Sequence, residues 1–247
     1  VTLPAAPPAT FIGKMNTMLN LPMLTRAPLH TQPFRWGRIT ELYSPADAAA
    51  LVATYPRDSF KTVSGYGGEK DYEYQARQLV EMGTGRIIHE QHLSPAWRRL
   101  ASELTAPDYR LALSTLTDMD LRNAPMEVNV FHYGPQACLG PHPDLGDKLV
   151  THILYFNDSW NIEDGGCLNI LGSADPTDVV AVIPPLVGTS AVLVRAENSW
   201  HAVTQVVANC RTSRRSMTVT FYRPGSLSSM WPSGDQSPLH NYEPAHD

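Results

Sequence analysis

The chain has 247 residues, 43% of them apolar and 17% charged, with a net charge of −5. That composition specifies a folded core rather than a disordered chain. The mild negative balance, without any long basic run, excludes a surface built for nucleic acid or for anionic membrane. No apolar run approaches the ~18 residues of a membrane span. The opening "VTLPAAPPAT" has neither the basic nor the apolar region of a signal peptide. Cys138, Cys167 and Cys210 form no CxxC and are odd in number. They read as reduced thiols of a cytoplasmic protein.

Helical signals dominate up to about residue 125. "SPADAAALVATY" offers Ser44 as N-cap, Pro45 in the first turn and Asp47 three residues on, which is a helix start. "SPAWRRLASEL" repeats the Ser-Pro opening, and "APDYRLALSTLT" predicts a third short helix. Between the first two lies "TVSGYGGEKDYEYQARQLV", glycine-rich and then polar-aromatic, which reads as an exposed loop.

From residue 126 the pattern changes. "MEVNVFHY", "KLVTHILYFN", "GCLNIL", "VVAVIP", "SAVLVR", "HAVTQVV" and "RSMTVTFYRP" are short, rich in β-branched and aromatic residues, and separated by Pro, Gly, Asn and Asp. Evenly spaced strands of this kind predict an antiparallel sandwich or barrel. The expected architecture is mainly β, with N-terminal helices bracing a jelly-roll barrel. It is a single domain over residues 1–247, comprising helical and loop support (1–125), β core (126–223) and a polar, Pro-rich tail (224–247) that forms a loose lid or strap.

One stretch holds candidate chemistry. "GPHPDLGDK" places His142 and Asp144 two positions apart. Composition alone gives roughly 0.5 such pairs by chance, so the pair needs support from elsewhere. It follows one strand and precedes another, where functional groups gather. In extended backbone, positions i and i+2 face the same way. His201 opens a later strand that a barrel can bring alongside. Two imidazoles and one carboxylate are the ligand set of facial-triad Fe(II) sites, which leave coordination positions open. In "RRSMTVTFY", alternation puts Arg214, Ser216, Thr218 and Thr220 on one face and Arg215, Met217, Val219 and Phe221 on the other. An arginine beside hydroxyls inside a barrel calls for an anion. The "HEQH" of His89 and His92 lacks the spacing of a zinc protease. His132 and His152 read as packing or hydrogen-bonding residues, and His30, His240 and His246 as solvated.

His142-Pro-Asp144, His201 and Arg214-x-Ser216-x-Thr218 together resemble the signature of Fe(II)/2-oxoglutarate-dependent oxygenases of the prolyl-hydroxylase-like group, over about residues 126–223. The resemblance implies a double-stranded β-helix, with His142, Asp144 and His201 as catalytic metal ligands. Fe(II) is the implied cofactor, with 2-oxoglutarate and O₂ as co-substrates. It also implies that Arg214, with Ser216 and Tyr155 nearby, binds 2-oxoglutarate; Arg211 and Arg215 compete for that role. Related halogenases carry Gly at the position of Asp144, so the carboxylate implies hydroxylation.

"TFIGKMNTMLN" and "VSGYGGEKDYEYQARQLVEMG" are similar to bacterial hydroxylases of N-substituted L-amino acids such as N-succinyl-leucine. That similarity implies a small N-acyl amino acid substrate. Tyr66 and Arg77, in a "SGYGGEKDYEYQARQ" lid, are then candidate substrate contacts. The alternatives are a peptidyl or prolyl hydroxylase, a non-catalytic β-barrel binding module and a hydrolytic zinc site. The oligomeric state, a homodimer included, is left open.

Overall fold

The computed structural model describes residues 17–66 and 71–243. Most of "TFIGKMNTMLN", residues 67–70 of the expected lid and His246 lie outside them.

In chain order the regular elements are α1 (Leu21–Arg26), β1 (Trp36–Ile39), α2 (Pro45–Ala53), β2 (Lys61–Gly65) and β3 (Tyr72–Val80), then α3 (Pro95–Thr105) and α4 (Pro107–Thr117). There follow β4 (Met126–Tyr133), β5 (Cys138–His142), β6 (Lys148–Tyr155), β7 (Leu168–Leu171), β8 (Val179–Ile183), β9 (Ser190–Val194), β10 (His201–Val203) and β11 (Arg214–Tyr222). The helices start where the caps predicted. Ser44 accepts from the Asp47 amide and Ser94 from the Trp97 amide, each with proline in the first turn, which satisfies amides that have no partner within the helix.

The strands follow one hydrogen-bonded order, β1-β9-β6-β11-β4-β3-β5-β10-β7-β8, with β2 paired to β3. The β1-to-β3 part forms a wall backed by the helices, and β5, β10, β7 and β8 form the opposing wall. Alternation assigns each wall residue a side. Val128, Val130, Val150, Leu154, Met217, Val219 and Phe221 pack outward into the helical layer around Trp97, Leu100 and Leu113. Ile153, Tyr155, Leu168, Ile170, Ala191 and Leu193 fill the interior between the walls. β4 is buried at every position, and its polar residues Glu127 and Asn129 alternate onto the barrel face. The architecture is the expected mainly β jelly-roll braced by helices.

Two local expectations are corrected, and one strand appears that the sequence reading did not name. "TVSGYGGEKDYEYQARQLV" is not a loop. It forms β2 and β3, antiparallel with Lys61 opposite Ala76 and Gly65 opposite Tyr72, and β3 lies inside the sheet between β4 and β5. "CLGPH" is a strand despite its Gly and Pro, because β10 supplies its partners. The tail is no loose appendage. Lys61 Nζ binds the Met230 carbonyl and the Asp235 carboxylate, both at 2.5 Å, and sits 4.1 Å over the Trp231 ring. Further on, His240 bridges Phe60 and the Tyr242 ring stacks on His132 at 3.8 Å.

Candidate metal and co-substrate site

The two histidines meet through strand pairing. His201 is directly opposite His142 in the β10–β5 ladder, and their ring centroids are 4.3 Å apart. Each Nδ1 is turned onto a backbone carbonyl, His142 onto Gly140 at 2.9 Å and His201 onto Ser199 at 2.8 Å. A neutral imidazole that donates from Nδ1 carries its lone pair on Nε2, the atom through which each ring can ligate.

Asp144 reaches them by a route other than the one the extended-backbone argument gave. His142 ends β5, and Asp144 has φ of 64°, a left-handed conformation that Asp tolerates better than most residues. That twist, not strand alternation, aims the carboxylate inward; Oδ1 lies 3.8 Å from His142 Nε2. The ligand atoms of His142, Asp144 and His201 all lie within 4.8 Å of one another, the one such group among the described residues. Ser199 ties the two ligand loops together, its Oγ 2.8 Å from the Pro143 carbonyl while its own carbonyl accepts from His201.

The Asp144 side chain is only 7% exposed. Burial alone would raise its pKa, but Lys148, His201 and His142 outweigh it and hold the carboxyl well below the usual range. Lys148 Nζ contacts Oδ1 at 2.5 Å and Thr151 Oγ1 donates to Oδ2 at 3.1 Å. A carboxylate beside two imidazoles whose Nδ1 atoms face backbone carbonyls is a donor set suited to a divalent transition ion.

Arg214 lies in the same cavity. The cavity measures about 130 Å³ and is lined by His142, Asp144, His201, Arg214, Ser216 and Lys148 among others. The arginine is 2% exposed, donates to Ser216 Oγ at 2.6 Å, and sits over the rings of Tyr133 and Tyr155 at 4.8 and 5.5 Å. No carboxylate among the described residues pairs with it, and its Nε has no hydrogen-bond partner. A buried guanidinium in that condition is costly unless an anion arrives. The three arginines are placed differently. Arg215 faces the helical layer, over Tyr55 at 5.7 Å, and Arg211 is exposed before the strand begins. Together, the orphaned guanidinium and the imidazole–carboxylate set fit an iron ion and a dicarboxylate.

Tyr66 and Arg77 are not brought to this cavity. Tyr66 is 64% exposed and donates to Glu73. Arg77 is fully buried on the other face of β3, 3.7 Å from Asp58. Sequence reasoning missed Lys148, Thr151, Ser199 and the inward pair Glu127 and Asn129. The last two hold the tail, Ser228 donating to Glu127 and Trp231 Nε1 to Asn129 at 2.7 Å. Lys148 stood within "GPHPDLGDK"; the other signal was the alternation of "MEVNVFHY", which puts its polar residues on the barrel face.

Residues 126–222 match the family model of the 2OG-Fe(II) oxygenase superfamily. The fold is similar to that of a Pseudomonas putida prolyl-4-hydroxylase, with TM-score 0.52 and 19% identity over 76% of this chain and 92% of that one. It is also similar to AviO1 from Streptomyces viridochromogenes Tue57, with TM-score 0.50 and 13% identity over 84% and 95%. At such identities the likeness is one of fold. No curated protein matches the chain by sequence. The matched segment coincides with the β core that carries His142, Asp144, His201 and Arg214. The protein is accordingly an enzyme, an oxygenase with Fe(II) as cofactor and 2-oxoglutarate and O₂ as co-substrates, acting on a small molecule or a peptide. The reading as a non-catalytic binding barrel is thereby set aside. No helix among the described residues is long and apolar enough to cross a membrane.

Proposed function

We propose that the protein hydroxylates an unactivated C–H bond of a small N-acyl aliphatic L-amino acid, at the β-carbon of an N-succinyl amino acid such as N-succinyl-leucine. In this reading His142, Asp144 and His201 hold Fe(II), and Arg214, with Ser216 and Tyr155, receives the distal carboxylate of 2-oxoglutarate. The observation that carries it is the meeting, in one cavity, of three converging ligand atoms and a buried guanidinium with no carboxylate partner among the described residues.

Bound iron supplies the activation of O₂ that couples 2-oxoglutarate + O₂ + R–H to succinate + CO₂ + R–OH. The chain supplies the rest. The Nδ1 contacts to Gly140 and Ser199 fix which nitrogen of each ring can ligate. Arg214 presents a planar fork suited to a carboxylate. Ser229 and Met230 bring the tail into the cavity lining. A cavity of about 130 Å³ suits a small substrate. The N-acyl amino acid class rests on the resemblance of the N-terminal half.

The test is anaerobic addition of 2-oxoglutarate to Fe(II)-loaded protein, following the visible metal-to-ligand charge-transfer band, with Asp144→Ala beside the wild type. The band should form in the wild type and be lost or weakened in the variant, after which coupled succinate release is screened with N-acyl amino acids. No band at saturating iron and co-substrate would sink the assignment of these residues.

A further inference from the structure

We propose that Lys148 is a specificity-determining residue that receives a carboxylate of the substrate, at the opposite end of the barrel from Arg214. The proposal rests on the reading of the site given above and names the cation that an acidic N-acyl amino acid needs and Arg77 does not provide.

Four observations carry it. First, Lys148 lines the cavity that holds the triad, and its side chain is only 20% exposed. Second, it is far from Arg214. Arg214 opens the nine-residue β11 and pairs with Tyr133, whereas Lys148 pairs with Tyr222 at the other end of that strand. The two cations therefore enter the cavity from opposite ends of β11, and an anion bound beside 2-oxoglutarate at the far end would meet Lys148. Third, the ion-pair partner of Lys148 among the described residues is Asp144, and the oxygen it takes is Oδ1. That is also the oxygen turned toward His142 Nε2. A divalent ion held by the triad would draw on the charge of that same carboxylate, and Lys148 would then be answered only in part by Asp144. Fourth, no other carboxylate lies within ion-pair distance of Lys148 among the described residues. A largely buried ammonium without a full counter-ion is unfavourable, so Lys148 recruits one from the ligand that enters next.

The neighbouring groups define what kind of ligand that is. Thr151, Thr220, Tyr222 and the buried Glu127 line the same end of the cavity, the Glu127 carboxylate already accepting from Tyr222 and Ser228, and Ser229 and Met230 line it too. A carboxylate held by Lys148 leaves an aliphatic chain lying between that end and the triad, which matches an amino acid derivative with an alkyl side chain.

The experiment uses Fe(II)- and 2-oxoglutarate-loaded wild type, Lys148→Met and Lys148→Arg under anaerobic conditions. The probes are N-succinyl-L-leucine, its α-carboxamide and N-acetyl-L-leucine, and their binding is read by calorimetry and by perturbation of the charge-transfer band. The expected result is an intact 2-oxoglutarate band in Lys148→Met, with N-succinyl-L-leucine bound at least tenfold more weakly. Lys148→Arg should recover most of that loss. Whichever analogue lacks the recognised carboxylate should bind wild type and Lys148→Met alike. Fe(II) affinity should rise in Lys148→Met, since the competitor for Oδ1 is gone. The proposal is overturned if N-succinyl-L-leucine binds Lys148→Met as tightly as wild type, or if no probe binds the wild type while its band is intact. It is also overturned if Fe(II) affinity falls, which would make Lys148 part of the metal-holding apparatus. A wild type without any band would remove the site assignment itself, a different failure from these.

Discussion

At the residue scale, the two histidines that take no part in the triad make the fold sensitive to acid. His152 is fully buried, with Tyr109 Oη 2.7 Å from its Nδ1. His132 is held between Ser213 Oγ and the Pro56 carbonyl. Burial pushes both imidazoles down, each to about 3. A folded-state pKa below the unfolded value means that the unfolded chain takes the proton first. Their contribution is therefore complete above pH ~6.5 and is lost as pH falls toward 3, at about 1.4 kcal/mol per pH unit for each group. Urea unfolding at pH 6.5 and pH 5 should show the loss. His152→Gln should flatten the slope by about one group's share, and an unchanged slope would mean that His152 is already charged in the fold. The sequence showed these residues as ordinary strand histidines, and packing is what they do. Asp144 was legible as a companion of the two histidines, but not the left-handed turn that aims it. The paired reading of His142 and Asp144 reached the right partners through a backbone that is not there.

At the element scale, the segment after β11 behaves as a strap across the mouth of the barrel. It is pinned by Lys61 from β2 and by Glu127 and Asn129 from β4. Trp231→Phe keeps the ring but removes the donor to Asn129 Oδ1. An unanswered buried amide oxygen costs about 1–3 kcal/mol, and the strap itself should loosen. Limited proteolysis should cut the variant faster between residues 224 and 235, while the β core stays resistant. Equal cutting would mean that the strap is held by its other contacts alone. None of this was visible in the tail, because its composition is polar and Pro-rich and its anchors lie on strands far away in sequence. The hairpin of β2 and β3 was hidden for a related reason. "SGYGGEK" carries turn signals, and the polar residues of "DYEYQARQ" gave no apolar stripe, although Tyr74 and Ala76 pack on Phe131 and Val203. The β11 alternation, in contrast, read correctly from the residues, since every inward position from Arg214 to Thr220 lines the cavity.

At the scale of the whole molecule, the N-terminal half does more than brace. β3 joins β4 to β5, and β1 covers the free side of β9. A fragment of residues 126–222 would expose bare edges on β4, β5 and β9. Unprotected edges of this kind recruit other strands. Expressed alone, the fragment should aggregate or fail to give a cooperative melt, whereas residues 17–243 should melt in one transition. A soluble, cooperatively folding fragment would show that the two halves are independent units.

The position of β3 has a consequence for the ancestry and engineering of such enzymes. A segment that is one stave of the barrel cannot be traded between relatives as a cassette. Grafting another homologue's first 125 residues would replace Tyr74 in the chamber wall along with the helices. It would also remove Lys61, which fastens the strap. Selectivity and foldability are thus inherited together here. New substrate preference should come by single substitutions along existing strands, not by exchange of the N-terminal half.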